Sequence, residues 1–135
     1  MRVVIDTNVF VSSFFGGKPR KIIELWKQGK ITLCFSREII DEYIMVLQRL
    51  GLENEKELKE LLSLFARGFN LLFIAKTQDL NVVLDDPDDD KFIECAVALK
   101  AQFIISGDKA LTSISEYMGI KLLNPKTFLD VYSKH

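Results

Sequence analysis

Two aspartates follow short apolar runs at points where a strand would end and the chain would enter a helix. Asp6 comes directly after Val3–Ile5, and Asp108 follows Phe103–Ile105 after only Ser106 and a glycine. Ligands of open parallel sheets bind at the carboxyl ends of the strands, so both carboxylates are candidates for one site. Each aspartate is equally suited to capping the following helix, and the residues by themselves leave both interpretations open.

Two further acids, Asp41 and Glu42, lie within an amphipathic segment that is predicted to form a helix. The apolar stripe of this segment consists of Ile39, Ile40, Tyr43, Ile44 and Leu47. Both acids fall near opposite borders of that stripe, so periodicity does not decide which of them faces the interior. Most acids at such borders are solvated, and a functional role for either one needs further support.

A third group of acids is the run from Asp85 to Asp90, which contains five aspartates in six residues. Most of them need no functional role, because the helix dipole favours acids in a first turn and Asp88 or Asp89 suits an N-cap. Asp90 and Glu94 are four residues apart and share one face of the predicted helix. The run therefore offers more candidates than one site needs.

Carboxylates that converge without histidine or cysteine form an all-oxygen site, which suits hard cations such as Mg²⁺ or Mn²⁺. Bound divalent ions activate water and stabilise charge on phosphodiester oxygens, so phosphodiester hydrolysis is the reaction that the pattern predicts. The candidate cluster combines Asp6 and Asp108 with one acid of the pair Asp41 and Glu42 and one acid of the run Asp85–Asp90. The whole chain has a formal net charge of −1, so the chain without these four carboxylates has +3, which suits a phosphate-containing substrate.

Short apolar runs alternate with longer amphipathic segments, which is typical of an α/β protein whose parallel strands are buried on both faces. The predicted strands are Val3–Ile5, Ile31–Phe35, Leu71–Ala75, Phe103–Ile105 and Ile120–Leu123. The predicted helices are Asn8–Phe14, Arg20–Gln28, Arg37–Leu50, Glu53–Phe69, Asp90–Ala101, Lys109–Met118 and Pro125–Tyr132. We expect one doubly wound domain spanning residues 1–135, a length near the commonest domain size.

Local signals support several of these boundaries. Ser36 and Asn124 are predicted N-caps, and Asn124 is followed by a proline at the first helical position. Gly29 and Gly119 are predicted to follow helices. The segment Gly16–Pro19 is predicted to be a flexible loop.

Composition limits the class of protein further. Hydrophobic residues make up 48% of the chain and charged residues 27%, values typical of a soluble globular protein. No apolar run approaches the roughly 18 residues of a membrane span, so neither a membrane segment nor a signal peptide is expected. Cys34 and Cys95 stand alone in apolar contexts, which favours a reducing cytoplasm over a disulfide framework or a zinc site. The single histidine, His135, is terminal, so imidazole chemistry is not expected.

Four segments combine an apolar run with an acid at a fixed place. They are residues 3–9, 36–43, 86–96 and 104–111. Together they resemble the four motifs of PIN domains, specifically the stand-alone prokaryotic PIN proteins related to VapC-type toxins. Residues 124–129 resemble the C-terminal helix of that subgroup, so the resemblance extends over nearly the whole chain.

The resemblance implies a role for each matching residue. The implied metal ligands and catalytic residues are Asp6, Glu42, Asp90 and Asp108, with Asn8 and Ser106 in support. It selects Glu42 over Asp41, which periodicity did not. The resemblance also favours Asp90 over its neighbour Asp89. A shift of the motif by one residue would select Asp89 instead.

The same resemblance implies a three-layer α/β/α sandwich around a parallel sheet of about five strands. The implied activity is a Mg²⁺- or Mn²⁺-dependent endoribonuclease that is the toxin of a toxin–antitoxin pair. The implied partners are an RNA substrate, a cognate antitoxin protein and a second copy of the chain.

Two other classes of protein are alternatives. One is a non-catalytic module with the same fold that binds RNA or protein, and the intact set of four acids argues against it. The other is a phosphatase of the haloacid dehalogenase type, which also begins with an apolar strand ending in aspartate. A second aspartate normally follows two residues later in those enzymes, and Asn8 stands at that position here.

Overall fold

The computed structural model describes residues 1–134, and His135 lies outside the described residues. The strands are β1 Arg2–Ile5, β2 Thr32–Ser36, β3 Leu71–Ile74, β4 Phe103–Ile105, β5 Glu116–Tyr117 and β6 Ile120–Leu123. They form a single sheet with the order β3-β2-β1-β4-β6-β5. All neighbouring strands are parallel except β5 and β6, which are antiparallel. The predicted parallel α/β sheet is confirmed, with one more strand than expected.

Seven α-helices connect or follow the strands of this sheet. They are α1 Thr7–Ser12, α2 Gly17–Lys27, α3 Arg37–Arg49, α4 Lys56–Ala66, α5 Asp90–Ala98, α6 Lys109–Thr112 and α7 Pro125–Ser133. Two 3₁₀ turns, Ser13–Phe15 and Pro87–Asp89, follow α1 and precede α5. None of the helices in residues 1–134 has the length and apolar character that crossing a bilayer requires.

The central strands explain why the helices lie on both faces of the sheet. Every residue of Val3–Ile5 and Phe103–Ile105 is buried. Side chains alternate between the two faces of a strand, so continuous burial requires a helical layer on each side. The helix α5 packs across β1, β2 and β4. The α/β/α sandwich that the family resemblance implied is therefore present.

Aromatic packing fixes the helices that flank the start of the chain. Phe10 of α1 stacks on Tyr43 of α3, with ring centroids 4.1 Å apart and an interplanar angle of 5°. The hydroxyl of Tyr43 donates a hydrogen bond to the carbonyl oxygen of Ile5, at the end of β1. Since Tyr43 is buried, this contact sets the distance between α3 and the carboxyl end of the first strand.

The predicted helix Lys109–Met118 is wrong in its second half. The helix α6 ends at Thr112, and the chain then forms β5 and turns back into β6. Met118 and Gly119 have φ angles of 50° and 82°, as in the two-residue turns that suit a β-hairpin. Gly119 is therefore a hairpin residue and does not follow a helix, because pairing with β6 overrides the local helical pattern.

Two other boundaries differ from the prediction. The segment Gly16–Pro19 is not a loop, because α2 begins at Gly17 and Pro19 lies in its first turn, where proline is tolerated. The helix α5 ends at Ala98 rather than Ala101, since Lys100 has a left-handed φ of 56°. The remaining helix ends agree within a few residues, and the predicted caps are present.

Candidate active site

Asp6 both caps a helix and faces a cavity, so the two interpretations of this residue hold together. Its Oδ1 accepts a hydrogen bond from the backbone N–H of Val9 at 2.8 Å, which caps α1. Its Oδ2 accepts a hydrogen bond from the hydroxyl of Ser106. Burial raises the pKa of Asp6, the Ser106 and Val9 hydrogen bonds oppose that rise, and the charge of Asp108 adds to it.

Asp108 is placed beside Asp6 by the neighbouring strand. β4 lies next to β1, and the Asp6 backbone N–H donates to the carbonyl oxygen of Ile105 at 3.0 Å. The Ser106 hydroxyl accepts from the Asp108 N–H at 2.9 Å while it donates to Asp6. Asp108 Oδ1 caps α6 by accepting from the N–H of Ala110 at 2.9 Å. The buried Ser106 hydroxyl thus connects two of the predicted site residues.

Glu42 reaches the same place from α3, and its carboxylate is held from two sides. The Thr7 hydroxyl donates to Oε2, and the Lys91 ammonium donates to Oε1 at 2.8 Å. The Glu42 side chain is only 18% exposed, whereas Asp41 is on the exposed side of the helix. Between these two acids, the structure therefore brings Glu42 to the cavity, as the family resemblance implied.

The run of aspartates contributes Asp86 and Asp89. One carboxylate oxygen each of Asp86, Asp89 and Asp108 lie within 4.8 Å of one another. The Oδ2 atom of Asp89 is buried and has no hydrogen-bond partner within residues 1–134. Burial raises the pKa of Asp89 to about 8, and the hydrogen bond to Asp108 and the charges of Asp86, Asp108 and Asp6 act in the same direction.

Asp90, which the sequence reasoning placed in the cluster, points elsewhere. Its Oδ1 accepts hydrogen bonds from the backbone N–H groups of Val82 at 3.0 Å and Val83 at 2.8 Å. Glu94, one turn further along α5, accepts from the N–H of Leu80 at 2.7 Å. The shared face of Asp90 and Glu94 therefore fastens the segment that precedes the aspartate run. Successive residues of a helix project about 100° apart. The side chain of Asp89 therefore faces the cavity, whereas that of Asp90 faces the segment before the aspartate run.

The acidic side chains surround one cavity of about 180 Å³ at the carboxyl edge of the sheet. Its lining residues are Asp6, Thr7, Asn8, Glu42, Val46, Asp86, Asp89, Phe92 and Asp108. The structure brings together Asp6, Glu42 and Asp108 of the predicted ligands, and Asn8 of the supporting residues. Asp90 is outside, and Asp89 takes the corresponding place.

Three contributors to the site were not singled out by the sequence reasoning. Asp86 was one of several equivalent acids in its run, and Thr7 was named only as a member of the first motif. Lys91 gave no signal, because its partner Glu42 lies 49 residues away in the chain. Asp89 is the nearest alternative to Asp90 in the sequence. A rule for the residue that precedes a helix could have indicated it, because α5 begins at the next residue.

The donor set fits a hard divalent cation. The lining contains carboxylate, hydroxyl and amide oxygens and neither histidine nor cysteine, and oxygen ligands are those that Mg²⁺ and Mn²⁺ prefer. The unpartnered Oδ2 of Asp89 is a buried acceptor that such an ion would satisfy. Burial raises the pKa of Asp6 and of Asp89, and the charges of the neighbouring carboxylates add to both rises.

The acids are thus gathered at the carboxyl ends of the strands of a parallel α/β sandwich. The sequence profile of the PIN domain family matches residues 2–110, and the chain belongs to this family. The chain is also similar to the uncharacterized protein MJ1680 of Methanocaldococcus jannaschii. The two are 34% identical over 148 aligned positions, which cover 99% of this chain and 93% of that protein. PIN domains are generally nucleases, so the acidic cavity belongs to a fold used for hydrolysis.

Proposed function

We propose that this protein is a Mg²⁺- or Mn²⁺-dependent endoribonuclease that hydrolyses RNA phosphodiester bonds at the acidic cavity. The observation that carries the proposal is the convergence of Asp6, Glu42, Asp86, Asp89 and Asp108 on one cavity. These residues come from four separate parts of the chain, since Asp86 and Asp89 belong to one run, and nothing in helix or strand stability requires them to meet. Their mutual repulsion disfavours the folded protein until a cation compensates for it.

The contacts support a different role for each group of side chains. In this proposal Asp86, Asp89 and Asp108, whose carboxylate oxygens lie within 4.8 Å of one another, hold a cation together with Asp6. The cation would supply charge neutralisation and activation of water. Asp6 is the most rigid of them, because both of its oxygens accept hydrogen bonds. Glu42 is oriented by the Thr7 hydroxyl and by Lys91, whose charge also limits repulsion from the other carboxylates.

The biological setting is a further part of the proposal. By resemblance to the toxin subgroup, we propose that the enzyme is the toxin of a toxin–antitoxin pair, that an antitoxin protein inhibits it and that it forms a homodimer. Exposed apolar side chains on α3 and α4, Ile44, Met45 and Leu62, support a protein–protein contact. Two free and buried cysteines, Cys34 and Cys95, support a reducing cytoplasm.

The test is cleavage of end-labelled RNA by purified protein. Unstructured RNA, hairpin RNA and single-stranded DNA are incubated in EDTA, Mg²⁺ or Mn²⁺. Cleavage is expected only of RNA and only with a divalent ion. Asp6→Asn, Asp89→Asn and Asp108→Asn each are expected to lose about 100-fold or more of the activity, because an amide keeps the size of a carboxylate but not its charge.

Asp85→Asn is the matched control. It makes the same substitution in the same run of aspartates, but Asp85 is exposed and outside the cavity. This variant is expected to keep most of the activity, because a solvated charge contributes only a screened long-range effect. If all three amide variants inside the cavity cut RNA as fast as the parent, the cleavage comes from a contaminating nuclease or from another site. The proposal is then wrong, and a non-catalytic RNA-binding module becomes the better account.

A further inference from the structure

The exposed side of α1 connects the acidic cavity with an exposed aromatic ring. Asn8 lines the cavity, Ser12 is exposed, and Phe15, in the following 3₁₀ turn, is 72% exposed. Residues spaced four and then three apart lie along one face of a helix. A ligand in the cavity that extends along α1 therefore reaches Phe15.

Phe15 is held outside the core by its neighbours. The Arg20 guanidinium donates hydrogen bonds to the carbonyl oxygens of Ser13 at 3.0 Å and Phe14 at 2.5 Å. Phe14 is buried and meets the ring of Phe10 edge-on, with centroids 5.8 Å apart. Since the core position is filled by Phe14 and the turn is fixed by Arg20, the ring of Phe15 is presented to solvent on a rigid support.

The chain segment that contains Phe15 is basic, although Arg20 of this segment pairs with Glu57 at 3.8 Å. Residues 7–23 contain no acid and include Lys18, Arg20 and Lys21. Both lysines are exposed, and neither forms an ion pair with any residue in 1–134. An exposed aromatic ring beside free cations is the combination with which proteins bind single-stranded nucleic acid, by base stacking and phosphate contact.

We propose that Phe15 stacks against a base of single-stranded RNA whose backbone runs along α1 into the acidic cavity, with Lys18 and Lys21 contacting its phosphates. This inference rests on the proposed ribonuclease function. Asn8 and Phe15 are seven residues apart, about 10 Å at the helical rise per residue, or roughly three stacked nucleotides. Phe15 cannot stack against a base inside a duplex, because the faces of that base are covered by neighbouring bases.

The test measures both cleavage kinetics and RNA affinity. The steady-state parameters kcat and KM are determined with unstructured RNA in Mn²⁺. The dissociation constant Kd is determined by fluorescence anisotropy in Ca²⁺. Phe15→Ala is expected to raise KM and Kd by about 5- to 150-fold, the range for loss of one base stack, with kcat nearly unchanged. Phe15→Trp is expected to keep the affinity of the parent, and Phe15→Leu is not.

Two matched comparisons separate stacking from a general loss of apolar surface. Phe73→Ala removes another exposed phenylalanine, on the edge strand β3, and is expected to leave KM and Kd unchanged. An RNA with one abasic nucleotide, placed in turn at each position near the cleaved bond, is expected to bind the parent weakly at one position about three nucleotides away. At that position Phe15→Ala is expected to show no further loss.

Unchanged KM and Kd in Phe15→Ala overturn the inference. It is also overturned if Phe15→Ala keeps its RNA affinity but dissociates a dimer in light scattering, since Phe15 then belongs to an interface between two copies. If the parent binds RNA through Phe15 without cutting it under any condition, the RNA subsite stands and the ribonuclease proposal fails. The two proposals are therefore tested separately.

Discussion

Two adjacent aspartates, Asp89 and Asp90, are expected to respond to substitution in opposite ways. The Asp89 carboxylate lies in the acidic cavity with one oxygen unpartnered, whereas the Asp90 carboxylate accepts two backbone hydrogen bonds outside it. We therefore predict that Asp90→Ala mainly destabilises the protein. We predict that Asp89→Asn mainly removes metal binding and activity.

The magnitude for Asp90 follows from its two contacts. Removing the carboxylate leaves the N–H groups of Val82 and Val83 without their acceptor. Val83 is 2% exposed, so water cannot replace the lost bond there, while Val82 is only half-buried. An unsatisfied buried donor costs about 1–3 kcal/mol, so the free energy of unfolding falls by about 2–5 kcal/mol in total. Asp90→Asn keeps an oxygen but not its charge, and costs about 1–2 kcal/mol.

For Asp89→Asn without metal, the free energy of unfolding is expected to change in the opposite direction. Its carboxylate faces those of Asp86 and Asp108, and burial and these neighbours raise its pKa to about 8. Replacing it by the neutral amide of asparagine removes that repulsion, so Asp89→Asn without metal is expected to be at least as stable as the parent. With metal, the variant has lost a ligand and gains less stability than the parent does.

The assay is urea unfolding followed by circular dichroism, in EDTA and in Mn²⁺, together with RNA cleavage in conditions where each variant is folded. The reasoning is refuted if Asp90→Ala unfolds at the urea concentration of the parent, or if Asp89→Asn keeps both its response to Mn²⁺ and its activity. A folded Asp90→Asn that has lost its Mn²⁺ response would move the ligand role back to Asp90.

Three further predictions concern metal, pH and the orientation of Glu42. Millimolar Mn²⁺ is expected to raise the melting temperature of the parent more than that of Asp6→Asn in calorimetry, and equal rises would contradict a metal site. In EDTA the stability is expected to fall as pH rises from about 4, the usual pKa of an aspartate, to about 8, because folded Asp89 keeps a proton that the unfolded chain has released. Asp89→Asn should flatten that decline in urea titrations, and an unchanged slope would assign it to other groups. Thr7→Val removes a hydrogen bond to Glu42 and is expected to lower kcat about 10-fold, whereas Thr7→Ser, which keeps the hydroxyl, is not.

The sequence determined the features that depend on local rules. Strand β4 has the predicted bounds. A short run of apolar residues between polar turns is expected to form a strand that is buried on both faces. Ser36 and Asn124 accept hydrogen bonds from the N–H groups of residues 39 and 127, as N-caps do. The placement of Asp6 and Asp108 followed from the same logic, since parallel strands end at one edge and carry the residues behind them to it.

Only the tertiary structure decided between neighbours of the same type. Asp89 and Asp90 have the same chemistry, and which one faces the cavity depends on the phase of the 3₁₀ turn that precedes α5. The choice of Glu42 over Asp41 required the family resemblance, and the structure shows the hydrogen bonds from Thr7 and Lys91 that hold its carboxylate at the cavity. Strand β5 forms because β6 offers it a partner. The physical reason is common to all three, because such choices depend on residues distant in the chain that a local pattern does not contain.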